Sequence, residues 1–206
     1  MKDQEKLFPA LYLVSTPIGN LEDMSSRGLR ILKQVSWIAA EDTRESCKLL
    51  ESQGIEKELV SLHEHSGEGR IKELVERLKN GESGAYISDA GTPGLCDPGA
   101  QLVQAAAAEG IKTVPVPGAS ALTALLSVAG FRESAFRFLG FFPRENKDRK
   151  AWAAGAGGIQ VFFESPHRFA ESLAFLAEYF PEAQLVVGRE LTKKFETVSR
   201  GRVREL

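Results

Sequence analysis

Short apolar segments alternate with helical patterns along the first half of the chain. The apolar segments span residues 11–15, 37–40, 59–62, 85–88 and 113–116. Between them, the spacing of an apolar helix face is plainest at Ile71, Leu74, Val75 and Leu78. This alternation predicts a parallel β-sheet that is covered by helices on both faces.

The pattern changes at Pro115-Val116-Pro117-Gly118, which predicts a boundary between a domain of residues 1–116 and a second domain of residues 117–206. In the second domain we expect a helix at 119–129, strands at 136–142 and 159–163, and a charged loop at 144–150 between them. Two further strands, at 184–188 and 195–200, fit a hairpin. A further helix would have Ser165 as N-cap and Pro166 at its first position, with Phe169, Leu173, Leu176 and Phe180 on one face. These elements predict a smaller α/β domain with a mixed sheet.

Composition is that of an ordinary water-soluble protein, with 206 residues of which 43% are hydrophobic. No apolar run approaches the roughly 20 residues of a membrane span, and residues 1–6 lack a signal-peptide core, so we expect a cytoplasmic protein with no membrane contact. Cys47 and Cys96 are expected to be reduced. Residues 131–206 carry 13 Lys and Arg against 10 Asp and Glu, which is compatible with phosphate contacts or with a solvated surface.

The most informative segment runs from Ser88 to Gly99 and reads S-D-A-G-T-P-G-L-C-D-P-G. A plain turn, with Asp97 as N-cap and Pro98 at the first helical position, explains only its end. The rest is rich in glycine and proline and directly follows an apolar strand. Because ligands of open α/β sheets bind beyond the carboxyl ends of the strands, we predict a ligand site here.

Polar residues also follow other predicted strands. Asp42 and Glu45 fit a helix capping box. Glu41 and Arg44 lie beside them and are candidate substrate contacts. Residues 16–21, 162–168 and 187–194 likewise place polar turns at strand ends.

Several common fingerprints are absent from the sequence. The first strand is not followed by GxGxxG, and there is neither a GxxxxGK[ST] loop nor a GxSxG elbow, which weakens dinucleotide, nucleotide and hydrolase hypotheses. His63 and His65 are spaced like metal ligands. The remaining histidine, His167, falls in the other predicted domain, so we expect no metal site.

Six motifs identify a known group of enzymes. In order they are T-P-I-G-N-L, A-A-E-D-T-R, S-D-A-G-T-P with D-P-G, P-V-P-G-A-S-A, F-F-E-S-P-H-R and G-R-E-L-T-K-K-F-E. Over residues 9–206 the chain resembles the ribosomal RNA small subunit methyltransferase I group of the tetrapyrrole methylase superfamily. The resemblance implies two α/β domains, with S-adenosylmethionine in an active-site cleft between them, and a homodimer. It also implies methyl transfer to the ribose 2′-hydroxyl of a decoding-region cytidine, with 16S rRNA or the small ribosomal subunit as partner.

The resemblance also assigns residues to the cofactor. They lie in the glycine-rich loop, just after the interdomain linker, and at two strand ends of the second domain. They are Asp89, Ala90, Gly91, Ser120, Ala121, Phe163 and Gly188.

Methylation of a ribose hydroxyl requires positioning and the removal of a proton. The available bases and electrostatic helpers are Asp89, Glu41, Glu164, Glu190 and Lys193. We choose Glu190 with Lys193 as the catalytic pair, since a neighbouring cation would stabilise a developing alkoxide. The predicted contacts to RNA phosphates are Arg144, Lys147, Arg149 and Lys150, with Arg168 and Arg189 as inner contacts.

The chain departs from the group's pattern at its end. Members of the group usually continue beyond the position of Leu206, so the resemblance implies that the last strands and the C-terminal extension are missing here. Two other functions remain open, a precorrin-type tetrapyrrole C-methyltransferase and a non-catalytic module that binds S-adenosylmethionine or RNA. Residues 16–21 argue against the first, whose initial loop usually reads G-x-G-P-G-D-P.

Overall fold

A computed structural model of the chain describes residues 7–63 and 65–206. Two parts of the chain lie outside the described residues. They are residues 1–6, on which the signal-peptide prediction rests, and Glu64, which separates His63 from His65. The chain divides into two compact units, Met1–Ser120 and Ala121–Leu206. The division falls after Ser120, whereas the proline-rich stretch placed it after residue 116.

The first unit is built on one sheet. Its strands are β1 (Leu11–Val14), β2 (Trp37–Ala40), β3 (Glu58–Ser61), β4 (Gly84–Ile87) and β5 (Thr113–Val116), and its helices are α1 (Ser26–Gln34), α2 (Thr43–Ser52), α3 (Glu68–Lys79) and α4 (Gly99–Ala108). All strand pairs are parallel, in the order β3-β2-β4-β1-β5. The predicted parallel sheet is confirmed.

Helices bury both faces of this sheet. One buried cluster contains Tyr12 together with Ile31 of α1, and the other contains Leu11 together with Leu74 of α3 and Leu102 of α4. Successive strand residues face opposite sides, so a strand between two helical layers must be apolar throughout. The two clusters hold the strands in register, and the carboxyl ends of all five strands lie at one edge.

The second unit has less regular architecture. Its elements are α5 (Ala121–Ala129), β6 (Phe136–Phe141), α6 (Asn146–Gly155), β7 (Ile159–Phe163), α7 (Phe169–Tyr179), β8 (Gln184–Arg189) and β9 (Thr197–Arg202). The predicted hairpin is present as the antiparallel pair β8 and β9, while β6 and β7 pair in parallel. Among the described residues these pairs form two separate ladders rather than one mixed sheet.

Aromatic side chains form the core of the second unit. The buried ring of Phe142 lies 4.6 Å from that of Phe162, 5.2 Å from Trp152 and 6.1 Å from Phe175, measured between centroids. Three residues of the predicted apolar helix face belong to this core, namely Leu173, Leu176 and Phe180.

The predicted start of α7 is wrong. The helix begins at Phe169, with Arg168 in the N-cap position, and Phe169 is exposed rather than part of the core. Ser165 does not cap the helix because it belongs to the preceding turn, where its carbonyl accepts the N–H of Arg168 (3.1 Å). Glu164 holds this turn in place by accepting the N–H of Ser165 (2.7 Å) and the hydroxyl of Ser172.

No helix within residues 7–63 and 65–206 is both long enough and apolar enough to cross a membrane. Cys47, in α2, and Cys96, in the loop after β4, are not joined in a disulfide bond.

Candidate active site

The loops after β1 and β4 are joined by a reciprocal pair of hydrogen bonds. The N–H of Thr16 donates to the carbonyl of Gly91 (2.9 Å), and the N–H of Gly91 donates to the carbonyl of Thr16 (3.1 Å). The Thr16 hydroxyl also donates to the carbonyl of Ser88 (3.2 Å). Thr16 is buried, and leaving buried backbone groups unpaired would cost free energy, so these bonds fix the two loops to each other.

The loop after β5 joins the same surface. The hydroxyl of Thr92 donates to the carbonyl of Ala119 (3.1 Å), and the hydroxyl of Ser15 donates to that of Thr92 (3.4 Å). A Cβ at Gly118 would lie 2.9 Å from the Cβ of Ser15, so this approach requires glycine. Three strand ends therefore form one continuous surface, which we call the loop wall.

Gly91 lies where these loops meet. Its φ of 84° is in the left-handed region that glycine occupies without penalty. A Cβ there would lie 3.3 Å from Cγ2 of Ile18 and 4.0 Å from Cα of Ser120. The structure thus brings together Gly91 and Ser120, two residues that the resemblance assigns to the cofactor. Asp89 and Ala90 precede them and are exposed.

Asp97 organises the second half of the loop. Its Oδ2 accepts the N–H of Gly94 and its Oδ1 accepts the N–H of Gly99, both at 2.8 Å. The predicted helix start is one residue early, because α4 begins at Gly99 and Pro98 takes the N-cap position. Gly99 packs directly against the ring of Tyr86, which leaves no room for a side chain.

Carboxylates gather at this edge of the first unit. Tyr86, the third residue of β4, is fully buried beneath the loop. Burial raises the pKa of Tyr86 above its usual range, and the charges of Asp97, Glu41 and Asp89 raise it further. Three carboxylates, those of Asp97, Glu41 and Asp89, thus act on the Tyr86 hydroxyl at this edge.

Asp42 links the end of β2 to the same loop. Its side chain caps α2 by accepting the N–H of Arg44 (2.8 Å), while its own N–H donates to Oδ1 of Asp89 (2.9 Å). The predicted capping box is incomplete, because Glu45 pairs with Lys48 and Asp89 takes the N–H that Glu45 would bind. The Arg44 side chain is 85% exposed, and its guanidinium donates to both carboxylate oxygens of Asp42.

The two histidines after β3 line a shallow depression. Its volume is about 420 Å³, and Ser66 and Arg70 contribute to the lining. The backbone N–H of His65 donates to Nδ1 of the His63 ring (3.2 Å), which occupies one nitrogen of that ring. Within the part of the chain that the structure describes, no three histidine, cysteine or acidic side chains are grouped as metal ligands.

Two of the predicted cofactor residues lie at strand ends of the second unit. Phe163 ends β7, and its ring lies 5.1 Å from that of Phe138, centroid to centroid. A Cβ at Gly188 of β8 would lie 2.8 Å from Cδ1 of Leu125 in α5, so a side chain there would displace the Leu125 methyl group. Ala121, a third such residue, is the first residue of α5.

The predicted catalytic pair is formed in the turn after β8. Nζ of Lys193 lies 3.2 Å from Oε1 of Glu190, and both side chains are nearly half exposed. Glu190 has a left-handed φ of 53°, an uncommon conformation for a residue other than glycine. The pair is accessible to a ligand.

Arg149 is wrongly predicted as an RNA contact. Residues 146–155 form α6, so most of the expected charged loop is helical, and Arg149 is 3% exposed. Its Nε donates to the carbonyl of Pro143 (2.8 Å) and its Nη1 to Glu171 (2.6 Å). Arg144, Lys147 and Lys150 are exposed.

Arg168 and Glu164 serve the structure of the second unit. Nη2 of Arg168 donates to the carbonyls of Phe142 and Pro143, both at 3.0 Å, and lies 3.2 Å from Glu164. These groups engage Nη2 and leave the side chain 23% exposed, so the role of Arg168 as an inner RNA contact stays a prediction. Glu164, whose side chain is 8% exposed, is unsuited to act as a base.

Thr16 and Thr92 hold the loop wall together but were not predicted. Each is followed by a proline, Pro17 and Pro93. A residue before proline is restricted to extended conformations, in which its N–H and carbonyl point outward for pairing. The two Thr-Pro pairs at strand ends were therefore the sequence feature that could have indicated this role.

Comparison with known proteins decides the family. The model of the family described as Tetrapyrrole (Corrin/Porphyrin) Methylases matches residues 10–206. The chain is similar to proteins named ribosomal RNA small subunit methyltransferase I. The one from Neisseria meningitidis serogroup B is 46% identical over 95% of this chain and 68% of its own length. The one from Xylella fastidiosa is 48% identical over 93% of this chain and 71% of its own length. The chain belongs to this family. The Bacillus subtilis relative is 44% identical over 95% of this chain and 68% of its own length.

Solved structures support the fold. The uroporphyrin-III-C-methyltransferase of Thermus thermophilus superimposes with a TM-score of 0.64 at 21% identity, over 95% of this chain and 86% of that one. A diphthine synthase gives a TM-score of 0.69 at 19% identity, over 95% and 82%. At such identities these two structures show the tetrapyrrole methylase fold alone.

The family resemblance and the assignment as a methyltransferase are therefore confirmed. The 42–48% identity to ribosomal RNA methyltransferases favours that function over the tetrapyrrole C-methyltransferase alternative.

We expect Asp42 to remain ionised far into the acid range. Hydrogen bonds from the Arg44 side chain and backbone lower the pKa of Asp42 from 3.8 to about 2. Because this folded-state pKa is below the unfolded one, the stabilising effect of the cap is complete above about pH 4 and disappears as the pH falls through about 2. A carboxyl NMR titration measures it. Arg44→Ala should move the midpoint toward 3.8, and an unchanged midpoint would contradict this cause.

Proposed function

We propose that this chain is an S-adenosylmethionine-dependent methyltransferase that acts on the RNA of the small ribosomal subunit. We further propose that the acceptor is the ribose 2′-hydroxyl of a cytidine in the decoding region of 16S rRNA. The observation that carries the proposal is the 42–48% identity to ribosomal RNA small subunit methyltransferase I relatives, which spans at least 91% of the chain in the relatives compared.

The loop wall fits this methyl donor. The ligand would lie along the loop backbone at Gly91, where Asp89 offers an exposed carboxylate. S-adenosylmethionine carries a sulfonium and an ammonium group, and the acidic edge attracts such a cation. When bound, it supplies an electrophilic methyl group. We assign its contacts to Asp89, Ala90, Gly91 and Ser120 of the first unit and to Ala121, Phe163 and Gly188 of the second.

Glu190 is the proposed acceptor of the ribose hydroxyl proton. Its carboxylate is exposed and lies beside the Lys193 ammonium, which would stabilise the negative charge that develops on the ribose oxygen. Glu41 and Asp89 remain alternatives, while Glu164 is excluded by the three groups that it binds.

RNA contacts are proposed for basic side chains that reach solvent. Arg144, Lys147, Lys150 and Arg189 are exposed, and the Arg44 guanidinium is exposed on the first unit near Glu41. Such contacts to phosphate release counterions, so RNA affinity should depend on salt.

The cytoplasmic location expected from the sequence and the homodimer that the resemblance implies are retained as parts of this proposal.

Label transfer from S-adenosylmethionine distinguishes the three functions. We expect the chain to transfer labelled methyl groups to ribose when it is incubated with unmodified small-subunit particles or naked 16S rRNA. Label on a tetrapyrrole precursor would indicate the C-methyltransferase instead. Cofactor binding with no transfer to any substrate would indicate a binding module and contradict catalysis.

Two glycine variants test the loop wall as a cofactor site. Gly91 and Gly94 have similar left-handed φ angles, 84° and 87°, but a Cβ at Gly94 would meet nothing within 4 Å. Alanine should cost both sites the same backbone strain, of about 1–2 kcal/mol. Only Gly91→Ala should weaken S-adenosylmethionine binding by about 10-fold or more in calorimetry. Equal affinities in the two variants would refute the close approach at Gly91.

Alanine variants of the catalytic pair test the proton acceptor. Glu190→Ala and Lys193→Ala should each lower the methylation rate by about 100-fold, as expected for loss of general base catalysis or its charge stabilisation. Their affinity for S-adenosylmethionine should be near normal. Glu76→Ala is the matched control, because Glu76 forms an i,i+3 ion pair with Lys79 (3.1 Å) on α3. An unchanged rate in both variants would rule out this pair.

A further inference from the structure

The turn between β8 and β9, residues 190–196, is tightly organised; we call it the hairpin tip. The N–H of Thr192 donates to the Glu196 carboxylate (2.6 Å). Two successive turns follow, from Lys193 N–H to the Glu190 carbonyl (2.9 Å) and from Glu196 N–H to the Lys193 carbonyl (3.1 Å). Glu190 and Thr192 both have left-handed φ angles, 53° and 68°, so the tip also holds backbone strain.

The tip is anchored to the hairpin beneath it. Cδ2 of Leu191 would lie 3.1 Å from a Cβ on Gly188, so the Leu191 side chain packs directly on β8. The two strands pair from Gln184 with Arg202 up to Arg189 with Thr197, immediately below the tip. A surface held in this way loses little conformational entropy when it binds a ligand.

Phe195 is the most exposed large hydrophobic side chain among the described residues, at 73%. The Lys194 ammonium lies over its ring, 5.6 Å from the centroid. Lys193 is paired with Glu190, whereas Lys194 forms no ion pair with any residue in 7–63 or 65–206. The tip therefore presents an aromatic face together with an uncompensated positive charge.

We propose that Phe195 stacks on an unpaired base of the RNA substrate while Lys194 contacts a neighbouring phosphate. The proposal rests on the proposed function and specifies its substrate as a single-stranded or looped nucleotide. Every base has a planar face, and an aromatic ring beside a cation is how proteins bind single strands without reading sequence. Bases inside a duplex are already stacked on both faces, so duplex RNA cannot use this contact.

The charges around Phe195 favour RNA over a protein partner. Lys194 and Glu196 flank the ring on either side in sequence, and Arg189 is exposed at the base of the tip. The centres of protein interfaces are depleted of lysine and glutamate, because their desolvation is costly. A nucleotide satisfies both features of the tip, since it offers a flat ring and a phosphate.

Binding of a fluorescent single-stranded 12-nucleotide RNA tests the proposal. With the whole 206-residue chain, Phe195→Ala should weaken single-strand binding by about 10-fold, the loss typical of one base–aromatic stack. Phe195→Leu should lose as much, because leucine is apolar but not planar, whereas Phe195→Trp should retain affinity. Binding of the same strand annealed to its complement should not change.

Phe8→Ala provides the matched control. Phe8 is 45% exposed and carries Lys112 4.2 Å from its ring centroid, but it precedes β1, at the opposite edge of the sheet from the loop wall. This variant should bind RNA normally. Affinity for S-adenosylmethionine should be unchanged in all the variants, which shows that they are folded.

The outcomes separate this proposal from the proposed function. If the unaltered chain methylates and binds RNA but Phe195→Ala and Phe195→Leu bind as tightly as it does, stacking is refuted and the methyltransferase function stands. If Phe195→Ala changes only self-association in sedimentation, the tip is a protein contact and stacking is likewise refuted. If the unaltered chain neither binds nor methylates RNA, both proposals fail.

Discussion

The reciprocal hydrogen bonds between Thr16 and Gly91 are the constraint on which the candidate site depends. They join the loops of two adjacent parallel strands, β1 and β4, and through Thr92 the same contact reaches Ala119 after β5. Without this bridge, the close approach of Gly91 to Ile18 and Ser120 would have no fixed geometry. The carboxyl ends of parallel strands lie side by side in any such sheet. Hydrogen bonds between the loops that follow them, such as those of Thr16 and Thr92, are needed to hold these loops as one surface.

Burial in the first unit could be predicted from local sequence. β2 and β4 read W-I-A-A and G-A-Y-I, with every residue buried, and such continuous apolar runs are typical of strands between two helical layers. Gly84 fits the same rule, because the indole of Trp37 occupies the space where its side chain would be. The glycine-rich loop could be recognised in the same way, since few roles other than ligand binding require that composition directly after a strand.

Contacts between distant residues could not be predicted in this way. Arg149 is indistinguishable in sequence from its neighbours Lys147 and Lys150, yet it is buried because Glu171, 22 positions away, and the Pro143 carbonyl receive its guanidinium. The bond from Asp42 to Asp89 spans 47 positions and replaces a local capping box that the sequence favoured. Periodicity predicts which residues share a face, but the partner of a charged group is set by tertiary packing.

The link between Asp89 and Asp42 has a consequence for how the site can be used. A carboxylate has about four acceptor positions, and the backbone N–H of Asp42 takes one of them, on Oδ1. Asp89 is exposed, so acceptor capacity remains toward solvent. One side chain can therefore hold the start of α2 and accept a hydroxyl or ammonium group of a ligand at the same time. Occupancy of the loop after β4 would then be coupled to the order of α2, and the coupling would be equal in both directions.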